Sequence, residues 1–274
     1  MFADKNNIIS VAVAGIGGRM GSRIAQLLGE TEGVELAGGF ESPGHAKAKK
    51  DLAEIIGGTP TGKLTAGNVE EAINDCDVII DFTNAEASLK HLSAAAKAGK
   101  SIVIGSTGFS VGQMDEAREL AKNIPVVLAP NMSLGVNVLF KLAAEAAKLL
   151  GDEYDAEIIE AHHRFKKDAP SGTAMKLAEV LAKALERNLG ETAVYSRHGL
   201  IGERTKKEIG IQTIRAGDIV GDHTVIFGGL GERLELTHRA ASRDTFARGA
   251  IRAAKWIVNQ PPGLYDMRDV LGIN

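Results

Sequence analysis

His162, His163 and Lys166 stand in the short run Glu160-Ala161-His162-His163-Arg164-Phe165-Lys166-Lys167-Asp168-Ala169, which leads into Pro170-Ser171-Gly172-Thr173. Histidine, with an unperturbed pKa of about 6.5, can donate a proton near neutrality; lysine, at about 10.4, is a standing cation unless its surroundings shift it. Ser171 suits an N-cap, and apolar Met175, Leu177, Ala178, Leu181 and Ala182 suit the helix behind it. The first N–H groups of that helix would face back toward the loop with the positive end of its dipole, where carboxylates bind well. Together these features fit an anionic substrate that must be held and protonated. His162 is assigned as the general acid, with His163 and Lys166 binding substrate, although residue types alone leave open which histidine donates and whether Lys166 itself gives the proton. The competing reading is a solvated loop; the cluster's place before a helix start weighs against it. No metal is expected, because the adjacent His162-His163 pair lacks an evident third ligand.

A second constellation lies near the front. Val11-Ala12-Val13-Ala14 reads as a buried strand, Gly15-Ile16-Gly17-Gly18-Arg19-Met20-Gly21 as a turn, and Ile24, Ala25, Leu27 and Leu28 as the inner face of a helix. Strand, glycine turn and helix are the order a pyrophosphate needs, because glycines admit its close approach and the helix start stabilises its charge. The spacing is G-x-x-G-x-x-G through Gly15, Gly18 and Gly21; the stricter G-x-G-x-x-G would need glycine at Met20. A plain turn packing a helix on a strand is the alternative. Glu41 follows Gly21 by about 20 residues, the place from which a carboxylate reaches ribose hydroxyls. That favours NADH, while Arg19, His45 and Lys47 offer cations for the 2′-phosphate of NADPH, so dual specificity is expected. Asp81-Phe82-Thr83 and Gly105-Ser106-Thr107-Gly108 also follow strand-like runs, where ligands of open α/β sheets bind.

The elements needed to position these groups are legible as a change of texture. Strand-like runs 8–14, 34–40, 77–82, 101–104 and 125–129 alternate with helical patterns 20–28, 86–98 and 111–122, which implies a parallel sheet with helices on both faces. Tyr154 to Ile159 alternates as a strand, so the histidines would emerge from its end onto a loop. From about Val194 the chain turns to Thr- and Ile-rich strands at 207–215, 218–227 and 233–237, the mark of an α+β domain with an open mixed sheet. After Ser242 it is helical through Ile257 and stops before Gln260-Pro261-Pro262-Gly263.

The run from His162 to Thr173 resembles the signature of the dihydrodipicolinate reductase family. So do Gly15 to Gly21, Asp81-Phe82-Thr83, Gly105 to Phe109, Asn131-Met132-Ser133-Leu134-Gly135-Val136-Asn137 and Tyr265 to Leu271. The resemblance implies reduction of 4-hydroxy-tetrahydrodipicolinate with NADH or NADPH in the diaminopimelate route to lysine. It implies a Rossmann-type dinucleotide-binding domain at 1–133 and 243–274, and a substrate-binding and tetramerisation domain at 134–242. It places His162 as proton donor and completes the site with Lys166. Ser171, Gly172 and Thr173 would join His163 in binding substrate. Phe82, Thr83, Gly105 and Thr107 would line the nicotinamide-ribose side, with Ala129, Asn131 and Met132 close to the nicotinamide and Arg243 counted among the cofactor contacts. Ser42 departs from those members that carry arginine directly after the ribose-binding acid.

The chain of 274 residues, 44% apolar and 24% charged with a formal net charge of −3, suits one large or two modest globular domains. That balance offers no dedicated nucleic-acid surface, and the run from Ile8 to Gly18 is too short and glycine-rich to span a bilayer. One cysteine, Cys76, cannot form an internal disulfide, and residues 1–7 show no secretory signal, so a cytoplasmic enzyme is expected. Two other functions compete: an aspartate-dehydrogenase-like enzyme without the His-His-Arg loop, and a non-catalytic dinucleotide sensor, which ought to carry a basic DNA-binding element. The open sheet and the family resemblance together imply a homotetramer that hinges near Ser133 and Ser242.

Overall fold

The computed structural model describes residues 8–273; residues 1–7, read above for a leader, lie outside the described residues. In chain order the elements are β1 (Ile9–Ala14), α1 (Arg19–Gly29), β2 (Val34–Phe40), α2 (Leu52–Ile56), α3 (Val69–Ala72), β3 (Val78–Asp81), α4 (Ala85–Ala98), β4 (Ser101–Ile104), α5 (Val111–Leu120) and β5 (Pro125–Leu128). There follow α6 (Leu134–Leu150), β6 (Asp155–His162), α7 (Gly172–Ala184), α8 (Leu189–Thr192), β7 (Ala193–Val194), β8 (Ile209–Arg215), β9 (Gly221–Gly228) and β10 (Arg233–Ala240). The chain closes with α9 (Asp244–Ile257), β11 (Gly263–Tyr265) and α10 (Met267–Leu271).

Two compact units result. The first takes the residues up to Ser133 and those from Asp244; the second is Leu134–Arg243. Arg243, expected to open the returning segment, thus closes the second unit instead.

In the first unit a six-stranded parallel sheet runs β2-β1-β3-β4-β5-β11. Its central strands read as continuous apolar runs because helices cover both faces: Val11 to Ala14, Val78 to Ile80 and Ile102 to Ile104 are all buried. Helices α1 and α9 lie together on one side, while α4 and α5 pack on the other around Leu92, Ala95 and Ala117. Strand order reverses between β1 and β3, so the ends of those two strands flank the crevice where this architecture takes ligands.

The second unit is a mixed five-stranded sheet, β10-β9-β6-β8-β7, in which β9 runs antiparallel to β6 and β10. Helices α6 and α7 bury one face through Leu139, Ala143, Leu177, Leu181, Ile158 and Phe227. Every second residue of β6 therefore points into this core: Ala156, Ile158, Glu160 and His162 are buried.

Several boundaries differ from the sequence reading. The helix behind Ser171 runs only to Ala184, because Glu186 takes φ +53 and Arg187 N–H turns back to the Ala182 carbonyl. Strand β9 begins at Gly221 rather than 218, since Gly217 and Asp218 form a turn at φ +50. Helix α6 was not anticipated, although Val136, Leu139, Ala143 and Ala147 recur at three- and four-residue steps and are all buried. Strand β11, three residues long and directly after Pro261-Pro262, was also not anticipated; it exists by pairing with the edge of β5.

Candidate active site

In the second unit the histidine run sits where β6 ends. His162 is the last strand residue and only 9% exposed, not a loop residue as expected; His163 and Lys166 do lie beyond the strand. The strand reaches His162 because its carbonyl accepts from Ala216 N–H at 2.9 Å, carrying the β6–β8 pairing past Arg215. Nδ1 of His162 lies 2.5 Å from Oε2 of Glu160, two residues back on the same face. Nε2 is left beside Gly221 of β9, where a Cβ would stand 3.1 Å from it, so glycine leaves that nitrogen room. Burial drives the His162 imidazole below its ordinary pKa, while the hydrogen bond and charge of Glu160 oppose that shift.

Glu160 is fully buried. Burial alone would raise its carboxyl, but hydrogen bonds from Arg215, His162 and Ser171 prevail and hold it below the usual carboxylate range. Arg215 of β8 grips it with two nitrogens, each at 2.8 Å. On the other side of His162 stands His223 of β9, ring centres 5.1 Å apart and edge to face. Desolvation, with the neighbouring charge of His162, pushes His223 down to about 3, so it is neutral at physiological pH.

The substrate-binding candidates divide. Lys166 closes a turn onto the His163 carbonyl and pairs with Asp168 at 2.9 Å. Ser171 is the N-cap of α7; its hydroxyl accepts from Ala174 N–H at 3.2 Å, meets Nε2 of His223 at 3.1 Å and is 1% exposed. Its side chain is thus occupied in holding the helix start, whereas exposed Gly172 and half-buried Thr173 form the first turn itself.

In the first unit the glycine turn joins β1 to α1. Gly15 takes φ +60, and a Cβ on Gly21 would run into the backbone of Gly15 and Ile16, so both positions demand glycine. Arg19 and Met20 open α1, whose N-cap Gly18 supplies no side-chain hydrogen bond and whose first turn holds no acid. That cradle fits a dinucleotide pyrophosphate. Glu41 is 7% exposed and accepts from Gly17 N–H at 2.5 Å, and Lys47 reaches the Gly17 carbonyl at 2.7 Å. A carboxylate and an ammonium therefore meet the two peptide groups of the same residue, Gly17. At the end of β3, Thr83 bonds Asp81 through its hydroxyl at 2.7 Å and lies against Gly15. Phe82 covers the Cα of Gly105, and Thr107 is exposed beyond β4.

The structure places the four remaining expected cofactor contacts as follows. Ala129 and Met132 are buried at 2% and 1%, with the Met132 carbonyl pressed against Gly249 of α9. Asn131 spends its side-chain oxygen on Ser133 N–H at 2.9 Å. Arg243 is exposed at the end of the second unit, not among the first unit's residues.

Sequence reasoning passed over Glu160, Arg215 and His223. Glu160 was legible: period-2 alternation puts it on the face of His162. Arg215 and His223 come from other strands and leave no local signal.

Family models described as "Dihydrodipicolinate reductase, N-terminus" and "Dihydrodipicolinate reductase, C-terminus" match residues 9–132 and 135–271. A 4-hydroxy-tetrahydrodipicolinate reductase of Syntrophobacter fumaroxidans is 62% identical over 97% of this chain and 100% of its own length. One from Syntrophus aciditrophicus is 60% identical over 97% and 99%. A dipicolinate-bound dihydrodipicolinate reductase from a Paenisporosarcina species superposes with TM-score 0.75 at 26% identity, covering 94% of this chain and 97% of that one.

Proposed function

The chain belongs to the dihydrodipicolinate reductase family, and on that footing we propose that it reduces 4-hydroxy-tetrahydrodipicolinate to tetrahydrodipicolinate with NADH or NADPH, in the diaminopimelate route to lysine. One hydride and one proton enter and one water leaves: the bond from carbon to the 4-hydroxyl breaks, hydrogen takes its place, and the oxygen departs protonated. The reduced nicotinamide, when bound, supplies the hydride.

The rest falls to the protein's own residues. Gly15, Gly18 and Gly21 with the start of α1 hold the pyrophosphate, and Glu41 and Lys47 meet the adenosine ribose. His162 is the general acid, giving up the proton on Nε2. Lys166 and His163 hold the substrate carboxylates together with Gly172 and Thr173 at the head of α7, where the dipole favours negative charge. The observation that carries this reading is the gathering, at one end of the second sheet, of a carboxylate-held imidazole, an ammonium and a helix start. No separate observation favours the amino-acid dehydrogenase or the sensor.

We further propose, from the family resemblance, that it acts in the cytoplasm as a homotetramer; no helix among the described residues is long and apolar enough to cross a membrane. Incubating the purified protein with NADH, pyruvate, aspartate semialdehyde and the upstream synthase tests the activity. Loss of nicotinamide absorbance that requires every component is expected; no loss, with active synthase present, would sink the proposal.

A further inference from the structure

Glu160 is the most heavily engaged carboxylate in the second unit, and the chemistry above gives it no role beyond its contact with His162. Oε2 meets His162 Nδ1 at 2.5 Å and Arg215 Nη1 at 2.8 Å. Oε1 accepts from Arg215 Nη2 at 2.8 Å, Ser171 N–H at 3.0 Å and the Thr213 hydroxyl at 3.3 Å. A carboxylate with no exposed surface survives as an anion only when paired and hydrogen-bonded in this way. One oxygen thus touches the acid, and the other touches the N-cap amide of α7, whose first turn is the carboxylate cradle. We propose that Glu160, clamped by Arg215, is a positioning residue for His162: it holds the imidazole as the Nδ1–H tautomer, so that the proton given up is on Nε2, and keys the ring to the start of α7.

The inference rests on the reading of His162 as general acid. An anion beside Nδ1 accepts a hydrogen bond from it and donates none, so the neutral ring must carry its hydrogen there. The groups facing the ring are Glu160 on its own strand, Arg215 on β8, His223 on β9 and Lys166 on the loop; His238 on β10 faces His223 in turn. Gly221 puts no side chain against Nε2. Of the charged neighbours, Glu160 favours the protonated ring, while Lys166 and Arg215 disfavour it.

The alternative is a structural ion pair that fastens β6 to β8 and leaves the chemistry alone. Two substitutions of opposite charge separate the cases. Glu160→Gln removes the anion, so the fall of kcat at high pH should move to lower pH, with turnover at pH 7.5 down about tenfold to a hundredfold. Arg215→Gln removes a cation, so the same limb should move to higher pH. Nitrogen-15 NMR of the imidazoles in the unsubstituted protein, without substrate, should show neutral His162 as the Nδ1–H tautomer; it needs no variant to fold. Neutral His162 carrying its hydrogen on Nε2, or limbs that stay put or move the same way in both variants, would overturn the proposal. A chain with no reductase activity but an Nδ1–H ring would instead bring down the functional reading, and leave the hold of Glu160 on the ring intact.

Discussion

A histidine buried beside a carboxylate behaves differently from one on a loop, and His162 is of the first kind. His162→Ala should lower turnover by about two to four orders of magnitude, the usual contribution of a general acid, with NADH affinity by calorimetry nearly unchanged. Near-normal turnover in a folded variant would move the proton donor to Lys166. His223 carries a different consequence. Its folded pKa lies near 3, below an unfolded value of 6.5, so the unfolded chain binds the extra proton between those limits. Stability from its neutral form is therefore complete above about pH 6.5 and drains away as pH falls toward 3, at up to about 1.4 kcal/mol per pH unit. Denaturant melts across that range should show a shallower acid decline in His223→Gln than in the parent; equal slopes would refute the assignment. In the cofactor half, Glu41 favours a free 2′-hydroxyl and Lys47 a 2′-phosphate, so calorimetric titration should find NADH and NADPH within about a hundredfold. A wider gap would mean that one of the two groups is not at the ribose.

The β1–turn–α1 unit depends on backbone approaching backbone, and no rotamer change can relieve a side chain inserted there. Gly21→Ala would drive a methyl into Gly15 and Ile16. It should weaken NADH binding at least about tenfold and lower the melting temperature, as the turn must open to admit the methyl. Unchanged NADH affinity would show that this turn does not cradle the dinucleotide. Elements with a strong local signal were legible: α5 has Ser110 and Gln113 completing a capping box, and β1, β3 and β4 are apolar runs bounded by glycine or polar residues. Strand β11 lacks such a signal, because its three residues become a strand only by hydrogen bonding to β5.

Across the molecule, the second sheet is covered by α6 and α7 on one face, while its other face carries half-buried Ile159 and Ile226 and the exposed Ile214. Thr224 and Thr237 pair across the same face at 3.0 Å. Such a surface is well suited to a copy of itself, and the proposed tetramer, which rests on the family resemblance, would cover it. Light scattering at micromolar concentration should give about four times the chain mass of 28.9 kDa; a mass near the single-chain value would exclude it.

What the sequence determined by itself was whatever is written locally: the glycine turn, the apolar periods of β1 and α7, the N-cap at Ser171 and the family signature around His162. Periodicity and capping act between residues a few positions apart, so a linear reading recovers them. The tertiary structure decided the electrostatics of the acid. Arg215 is 53 residues from His162 and His223 is 61, yet the pairing of β6 with β8 and β9 brings both into the surroundings of one imidazole. Burial, which governs the proton affinity of His162 and His223 alike, belongs to the packed sheet and helices and to no segment alone.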